Sequence, residues 1–243
     1  MCSAMRLRFV PRCGTLDGVS TVQSVERAFA ILETFDESHP TRTAAEIAAA
    51  AGLARPTTYR MLQTLRRLGY VRHVDGHFEV TPRVLRLGAG YLGRESMAAR
   101  AQPALDRLSE TVGEHVAIGV LDGDEVITVA ASSSPHSRLL SIAIQPGQRL
   151  PAAQTSMGQV LLAHHASHPD EGERLIREQG YAITDGALET GLRALGVPIR
   201  DHTGAVVAGM AVAVNAARVT VEQLEDEFLP HLIGTAELIS TII

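Results

Sequence analysis

The sequence contains no lysine and no tryptophan, and only two of its 243 residues are cysteines. Cys2 and Cys13 have no companion cysteine or histidine at zinc-finger spacing, so the pattern predicts free thiols and no metal site. No stretch approaches the roughly 18 consecutive apolar residues of a membrane span. Residues 1–20 carry arginines but no apolar segment typical of a signal peptide. We therefore expect a cytoplasmic protein with no membrane partner and no cofactor.

Charge is divided unevenly along the chain. Residues 1–95 hold 13 arginines and 9 acidic residues, a net charge of +4, whereas residues 96–243 carry a net charge of −9. The overall value of −5 conceals this difference. A basic first part joined to an acidic second part indicates that the first part meets phosphate and the second does not.

Two short helical patterns lie close together in the segment TAAEIAAAAGLARPTTYRMLQTLRRLGY. Thr43 and Glu46 have the spacing of a capping box, which predicts the start of the first helix. Gly52 favours the left-handed conformation that ends helices, and Pro56 suits the first turn of the next one. The segment therefore predicts a helix, a tight turn and a second helix.

The second of these helices has an apolar and a polar side. On a helical wheel the residues expected to pack are Thr58, Met61, Leu62, Leu65 and Leu68. The residues expected to face outward are Tyr59, Arg60, Gln63 and Arg67. Taken alone, this pattern is equally that of an ordinary amphipathic helix in a bundle.

The neighbouring segments favour a DNA-binding domain. GYVRHVDGHFEV contains two short β patterns around Asp75-Gly76, a dipeptide typical of two-residue hairpin turns. A helix-turn-helix followed by a hairpin is a winged helix. Upstream, the segment SVERAFAILETF predicts the helix that covers its core through residues at helical spacing: Val25, Phe29, Leu32 and Phe35.

The whole chain predicts an α+β protein in four parts. We expect a leader at 1–20, a winged helix-turn-helix DNA-binding domain at 21–81, a linker helix at 82–96 and an effector-binding domain at 97–243. In the last part, β patterns and helical patterns alternate irregularly, which predicts an antiparallel sheet flanked by helices. The strands after Leu192 are almost continuously apolar, which indicates burial on both faces. The final helix begins with a capping box at Thr220, and we expect a kink at Pro230.

The outward side of the second helix has the chemistry of a DNA-binding surface. Arg60 and Gln63 suit the edges of guanine and adenine in the major groove. Residues near the helix start can equally bind phosphate groups, and Arg67 is predicted to contact the DNA backbone. The predicted DNA contacts are Arg55, Thr57, Tyr59, Arg60, Gln63, Arg67 and, on the wing, Arg72. One winged helix specifies too few base pairs, so a symmetric dimer on palindromic operator DNA is expected.

With these motifs in place, residues 22–243 resemble the IclR family of bacterial transcription regulators. The resemblance is carried by VQSVERAFAILETF, by the helix-turn-helix segment, and by GQRLPAAQTSMGQVLLA, GYAITD, GLRALGVPIRD and GAVVAGMAVAVNAARVT. RLPAAQTSMGQVLLA and NAARVT are most like the branch that controls protocatechuate and β-ketoadipate catabolism. The resemblance implies a winged helix, a linker helix and a GAF-like domain that binds a small carboxylate, in a dimer or a dimer of dimers.

A carboxylate in an apolar cavity needs an arginine or converging hydrogen-bond donors. Arg138 and Arg149 flank the segment before the helix at TSMG, and Arg193 lies on a later strand. The predicted effector contacts are Arg138, Arg149, Gln154, Thr155, Ser156, Met157, Gly158, Arg193 and Ala194. Ala194, Ala211 and Ala213 replace positions that are often polar in that branch, which implies a less polar pocket.

Simpler roles for these residues stay open at this point. Thr155 can be only an N-cap, the arginines can be surface residues, and His115 is more typical of a satisfied core or rim histidine than of a cavity residue. No G-x-S-x-G elbow or triad pattern is present, so we expect no enzyme activity. The cluster from His164 to His168 is typical of a solvated helix end. The alternative function is a winged-helix protein-interaction module without specific DNA binding.

Overall fold

The structure is a computed structural model that describes residues 21–36, 38–91, 96–135, 137 and 144–243. It forms two compact units, one on each side of residues 92–95. The predicted leader and the predicted effector contact Arg138 lie outside the described residues.

The described residues of the first unit form four α-helices and one three-stranded antiparallel sheet. Its helices are α1 (Gln23–Leu32), α2 (Ala44–Ala50), α3 (Arg55–Arg67) and the short α4 (Leu85–Gly88). Its strands are β1 (Thr41–Arg42), β2 (Val71–Val74) and β3 (His77–Val80), arranged in the order β1-β3-β2. The strand β1, which the sequence did not predict, adds an edge to the wing hairpin.

The helix-turn-helix forms where its local signals predicted it. The Glu46 amide donates to Thr43 Oγ1 at 3.3 Å, and the Thr43 amide donates to the Glu46 carboxylate at 2.7 Å, so the capping box is confirmed. Gly52 has a φ of +65° directly after α2. Asp75 and Gly76 have φ values of +49° and +81°, the conformation that a two-residue hairpin turn requires.

The core of the first unit confirms α3 and corrects α1. The fully or nearly fully buried apolar residues are Ile31, Ile47, Leu62, Leu65, Val71 and Phe78. Val25 and Phe29, which the sequence placed in the core, are 51% and 49% exposed. Leu32 and Phe35 pack against this core as predicted, although α1 ends at Leu32, and Ile31 of the same helix is fully buried.

Among its described residues, the connection after the wing is helical from Pro82 to Gly88. Thr81 Oγ1 accepts the Arg83 amide at 3.2 Å and begins a 3-10 turn, Pro82–Val84, which runs into α4. The described part of the predicted 82–96 linker helix is helical to Gly88. Glycine costs about 1 kcal/mol relative to alanine inside a helix, and Gly88 and Gly90 both fall within the predicted span.

The second unit is a six-stranded antiparallel sheet with helices on both faces, which confirms the predicted fold class. Its helices are α5 (Met97–Val112), α6 (Ser156–His165), α7 (Glu171–Gln179), α8 (Val221–Gln223) and α9 (Leu229–Ser240). Its strands are β4 (His115–Asp122), β5 (Glu125–Ser133), β6 (Arg149–Pro151), β7 (Ala182–Asp185), β8 (Leu192–Arg200) and β9 (Val206–Asn215). The strand order is β6-β5-β4-β9-β8-β7.

Alternate residues of the central strands face two different cores. Val116 of β4, Val212 of β9 and Leu195 of β8 pack against α5 and α9. Ala117 and Ala211 face the opposite side, where they pack with Met157 and Leu161 of α6. Both faces are buried, as the continuous apolar strands predicted.

Helix α6 lies directly on the backbone of the sheet. A Cβ atom added at Gly196 of β8 would lie 2.6 Å from the carbonyl carbon of Ser156, and one at Gly209 of β9 would lie 2.7 Å from the carbonyl oxygen of Met157. Only glycine permits this approach. The first turn of α6 is therefore fixed over β8 and β9.

The carboxyl-terminal segment stays helical through its proline. Thr220 forms the predicted capping box with Gln223. Pro230 lacks an amide hydrogen, and a π-helical turn, Leu224–Phe228, stands immediately before its helix α9. The hydroxyl of Tyr181 donates to the carboxylate of Glu225 at 2.6 Å, which ties this turn to the segment before β7. A π turn thus precedes the proline at which the kink was predicted.

Candidate functional site

The recognition helix

Helix α3 presents a polar side to solvent and an apolar side to the core. Arg60 and Arg67 are exposed and Tyr59 is 53% exposed, whereas Gln63 is half-buried. On the opposite side Thr58, Leu62 and Leu65 are buried and Met61 is half-buried. Leu68, predicted to pack, is 47% exposed because it follows the last residue of the helix.

The start of α3 and the wing supply further candidates. Arg55 is exposed at the first position of α3, and Thr57 is half-buried in the same turn. Arg72 on β2 is exposed and donates to the Glu79 carboxylate on β3. An exposed pair of this kind contributes about 0–1 kcal/mol, so it does not prevent Arg72 from binding phosphate. Arg66, which the sequence analysis did not select, is also exposed in the last turn of α3.

The cavity beneath helix α6

A cavity of about 390 Å³, including its open mouth, lies in the second unit beneath the start of α6. We call it the α6 cavity. Its apolar wall combines residues from five separate segments: Ala117, Ile144, Leu150, Met157, Leu188, Leu192, Ala194, Ala211 and Ala213. Its polar wall consists of His115, Gln154, Thr155, Ser156 and Thr184. Small-molecule sites typically have this composition, mainly apolar with a few placed polar groups.

Cross-strand pairing explains how these residues meet. Thr184 pairs with Ala194, Ala194 with Ala213, Ala213 with His115, and His115 with Ser133. This row crosses five strands, with alanines in the middle and polar side chains towards both ends. The alanines leave space above the sheet, and all three line the cavity.

The first turn of α6 supplies hydrogen-bond donors to the cavity. Thr155 Oγ1 accepts the amide of Gly158 at 3.1 Å, as an N-cap does. In the described part of the chain, the Ser156 hydroxyl is buried without a hydrogen-bond partner. The amides of Ser156 and Met157 precede the first intrahelical bonds of α6. Free amides, a hydroxyl and the positive end of the helix dipole together favour an anion.

His115 lies on the cavity wall and is only 4% exposed. Its Nδ1 is hydrogen-bonded to Ser133 Oγ, whereas its Nε2 has no partner among the described residues. Burial lowers the pKa of the imidazole below its ordinary value, which favours the neutral form at pH 7. The prediction that His115 is a core or rim histidine with all its hydrogen bonds made is therefore wrong for Nε2, one of its two ring nitrogens.

Three predicted effector contacts do not lie on the cavity wall. Arg149 donates to the carboxylates of Asp122 at 2.9 Å and Glu125 at 2.8 Å. Arg193 donates to Asp185 at 2.5 Å and to the Val219 carbonyl oxygen at 2.5 Å. Both cations are already neutralised by neighbouring carboxylates. Gly158 is buried in α6 against Ala152 and gives the helix its close approach rather than a ligand contact.

The remaining predicted contacts, Gln154, Thr155, Ser156, Met157 and Ala194, lie together on the cavity wall. Sequence reasoning missed Thr184, Leu188 and Leu192, which reach the cavity only through the pairing of β7 with β8. Local sequence carries no sign of such pairing. The clustering of the α6 start with Ala194 thus outlines a site whose described wall does not include Arg149 or Arg193.

Metal and membrane roles find no support in the described residues. Within them, no group of three His, Cys, Asp or Glu side chains could hold a metal ion. His164 and His165 bond to carbonyl oxygens of their own helix at 2.9 Å each. No helix in this part of the chain is long and apolar enough to cross a membrane.

Similarity to known proteins

Two sequence families match this chain. Residues 24–75 match the IclR helix-turn-helix domain. Residues 89–176 and 173–241 match the carboxyl-terminal domain of the bacterial transcriptional regulator IclR. The first match contains α3, and the second contains the α6 cavity.

Individual relatives extend over nearly the whole chain. The Pca regulon regulatory protein of Pseudomonas putida is 34% identical, over 88% of this chain and 81% of its own. The p-hydroxybenzoate hydroxylase transcriptional activator of Acinetobacter baylyi is 28% identical, over 91% of this chain and 92% of its own. The crystal structure of an IclR homolog from Microbacterium hydrocarbonoxydans, complexed with 4-hydroxybenzoate, superposes with a TM-score of 0.69 at 26% identity, over 90% of this chain and 98% of the other.

Proposed function

The chain belongs to the IclR family of bacterial transcriptional regulators, and from that premise we propose how it works: α3 binds operator DNA and an aromatic carboxylate in the α6 cavity modulates that binding. The observation that supports ligand binding is the α6 cavity itself. In it, a helix start that favours anions lies above a floor formed by alanines. The regulated genes belong to aromatic-acid catabolism, as they do for relatives named as Pca and p-hydroxybenzoate regulators. Because its target is chromosomal DNA, the protein acts in the cytoplasm.

The DNA contacts follow from the exposed side of α3. Arg60 contacts a base edge, because a guanidinium can donate two hydrogen bonds to guanine O6 and N7. Gln63 is the second base contact. Arg55, Thr57, Tyr59 and Arg67, with Arg72 on the wing, bind the phosphate backbone and fix the helix in the groove. These residues lie on one side of α3 and its adjoining wing.

The ligand is a small acid with an apolar body. Its carboxylate accepts hydrogen bonds from the first-turn amides of α6 and from Ser156, which would otherwise leave a buried hydroxyl unsatisfied. Its ring lies against Ala194, Ala211 and Ala213. No arginine is needed, because helix-terminal amides stabilise a carboxylate without a paired cation.

Ligand and DNA are coupled through a symmetric dimer. The ligand changes the relative setting of two winged helices on a palindromic operator, with a coupling free energy of about 1–3 kcal/mol. Such coupling shifts operator affinity by roughly 5-fold to 150-fold without abolishing binding.

The test is fluorescence anisotropy of the full-length protein on DNA from its own upstream region, with and without protocatechuate and 4-hydroxybenzoate. We expect sequence-selective binding that weakens with salt and shifts with one of the acids. The matched control is Arg174→Ala, which removes an exposed arginine of the second unit and leaves α3 intact. Failure to bind this DNA and neighbouring promoters at low salt would favour the protein-interaction function instead.

A further inference from the structure

The α6 cavity has a second polar end at His115, whose ring is hydrogen-bonded to the exposed Ser133 outside the cavity wall. Resting on the proposed function, we infer that His115 binds a hydroxyl group of the ligand and so selects hydroxylated aromatic acids over unsubstituted ones. Two observations carry this inference. His115 lines the cavity, and its Nε2 is buried and lacks a partner among the described residues. The other ring nitrogen, Nδ1, is hydrogen-bonded to Ser133 Oγ, which fixes the orientation of the ring.

The placement of the two polar ends fits one aromatic ring. The first turn of α6 lies over Gly196 of β8, whereas His115 stands on β4. Strands β8, β9 and β4 are neighbours, and Gly196 lies in the row of Ala211 and Ala117, two residues along β4 from His115. Two strand spacings combined with two residues along a strand separate the backbones of Gly196 and His115 by roughly 12 Å. A ring with polar groups at opposite ends bridges such a gap once a hydrogen bond of about 2.9 Å is added at each end.

The chemistry of a neutral imidazole specifies the kind of group. If the Ser133 hydroxyl donates to Nδ1, then Nε2 carries hydrogen and donates into the cavity. If Nδ1 donates to Ser133, then Nε2 accepts. A hydroxyl group can accept in the first case and donate in the second, whereas a carbonyl satisfies only the first. A hydroxyl is therefore the group that His115 binds in either tautomer.

Apart from Ser133, which is bonded to Nδ1, no polar residue of this row lies next to His115. Its neighbour on β9 is Ala213, which offers no polar side-chain atom. The remaining polar residue of the row, Thr184, stands at the opposite side on β7. A ligand lacking the hydroxyl leaves Nε2 buried and unsatisfied, which costs affinity, whereas a hydroxylated ligand satisfies it.

The experiment compares the binding of benzoate, 4-hydroxybenzoate and 3,4-dihydroxybenzoate to the full-length protein by calorimetry. We expect the wild type to bind the hydroxylated acids roughly tenfold or more tightly than benzoate. His115→Leu should remove this preference, with benzoate affinity retained. Ser133→Ala tests the positioning residue: it should reduce the preference, and Ser133→Thr should restore it. The unfolding transition of each variant checks that it is folded.

The matched control is His202→Leu, which removes an exposed histidine of the β8–β9 turn outside the cavity wall. It should leave the preference unchanged. Loss of the preference in His202→Leu but not in His115→Leu would overturn the assignment, as would an unchanged preference in folded His115→Leu and Ser133→Ala. If no aromatic acid binds the wild type, the proposed function fails instead, so the two failures are distinguishable.

Discussion

At the scale of single residues, the exposed arginines of α3 have different expected roles. Arg60 stands in the middle of the helix, where a side chain reaches into the major groove, and Arg67 stands at its carboxyl end. A base contact affects discrimination among sequences, whereas a phosphate contact affects all sequences alike. Substitutions should separate the two.

We expect Arg60→Ala to weaken operator binding by about 1–3 kcal/mol and to relax specificity at one base-pair position per half-site. The measurement is anisotropy against a panel of operators with single substitutions. Arg174→Ala on α7 is the control for loss of one positive charge. A uniform loss across the panel would assign Arg60 to the phosphate backbone instead.

The buried imidazole of His115 makes a second residue-level prediction. Its pKa is lowered by burial in the folded protein, from an unfolded value of about 6.5. The unfolded chain therefore binds a proton first as the pH falls below about 6.5, and this favours unfolding. Above that pH the effect vanishes because both states are neutral.

Denaturant unfolding between pH 8 and pH 5 should show this loss. His115→Asn keeps a polar side chain without a group that titrates in this range, so its free energy of unfolding should fall less than that of the wild type below pH 6.5. The pKa of His164 is lowered too, mainly by burial, but that residue is present in both proteins and cancels in the comparison. Parallel pH profiles would show that His115 is protonated equally in both states.

At the scale of elements, the support of α6 by glycines is the feature most open to test. Gly196→Ala would place a methyl group 2.6 Å from the backbone of Ser156, so either α6 or the sheet must move. We expect a loss of about 1–3 kcal/mol in the free energy of unfolding, typical of overpacking. Ligand affinity should fall as well, because the same turn supplies the anion-binding amides.

Gly234→Ala is the matched control. Gly234 is exposed in α9, and an added Cβ meets no atom within 4 Å. That substitution should stabilise the protein by up to about 1 kcal/mol, because alanine is the better helix former. Equal effects of the two substitutions on ligand affinity would contradict the role given to the α6 support.

The elements also show what the sequence could predict. Capping boxes at Thr43 and Thr220 and the turn at Asp75-Gly76 are local signals, so the helix starts and the wing were predicted correctly. The ion pairs of Arg149 with Asp122 and Glu125 were not predicted, because these carboxylates approach the arginine only through the pairing of β5 with β6. Likewise, Thr184 and His115 lie in one cross-strand row only because β7, β8, β9 and β4 are neighbours in the sheet, and local sequence does not specify that strand order.

At the scale of the whole molecule, the proposed dimer has a measurable electrostatic consequence. Each phosphate contact contributes about 0.9 to the slope of log affinity against log salt concentration. Arg67→Ala removes one such contact per protomer. A symmetric dimer on a palindrome should therefore lose about 1.8 from the slope, whereas a single protomer would lose about 0.9.

Anisotropy titrations at several salt concentrations would measure both slopes. The control is again Arg174→Ala, which should leave the slope unchanged. If the slope for Arg67→Ala fell by only about 0.9, the symmetric dimer would be contradicted. If the slope did not change, Arg67 would not be a phosphate contact. Ligand binding in the α6 cavity should depend much less on salt, since a buried site is screened less than an exposed one.

The helix start that caps the α6 cavity has an evolutionary consequence, because the donors that we propose for the acid group are mostly main-chain amides. Point substitutions can enlarge Ala194, Ala211 or Ala213 and so alter which ring fits, but they cannot delete a backbone amide. Descendants of this protein can therefore exchange one organic acid for another by single mutations on the floor. Abandoning acids altogether would require rebuilding the turn that rests on Gly196 and Gly209.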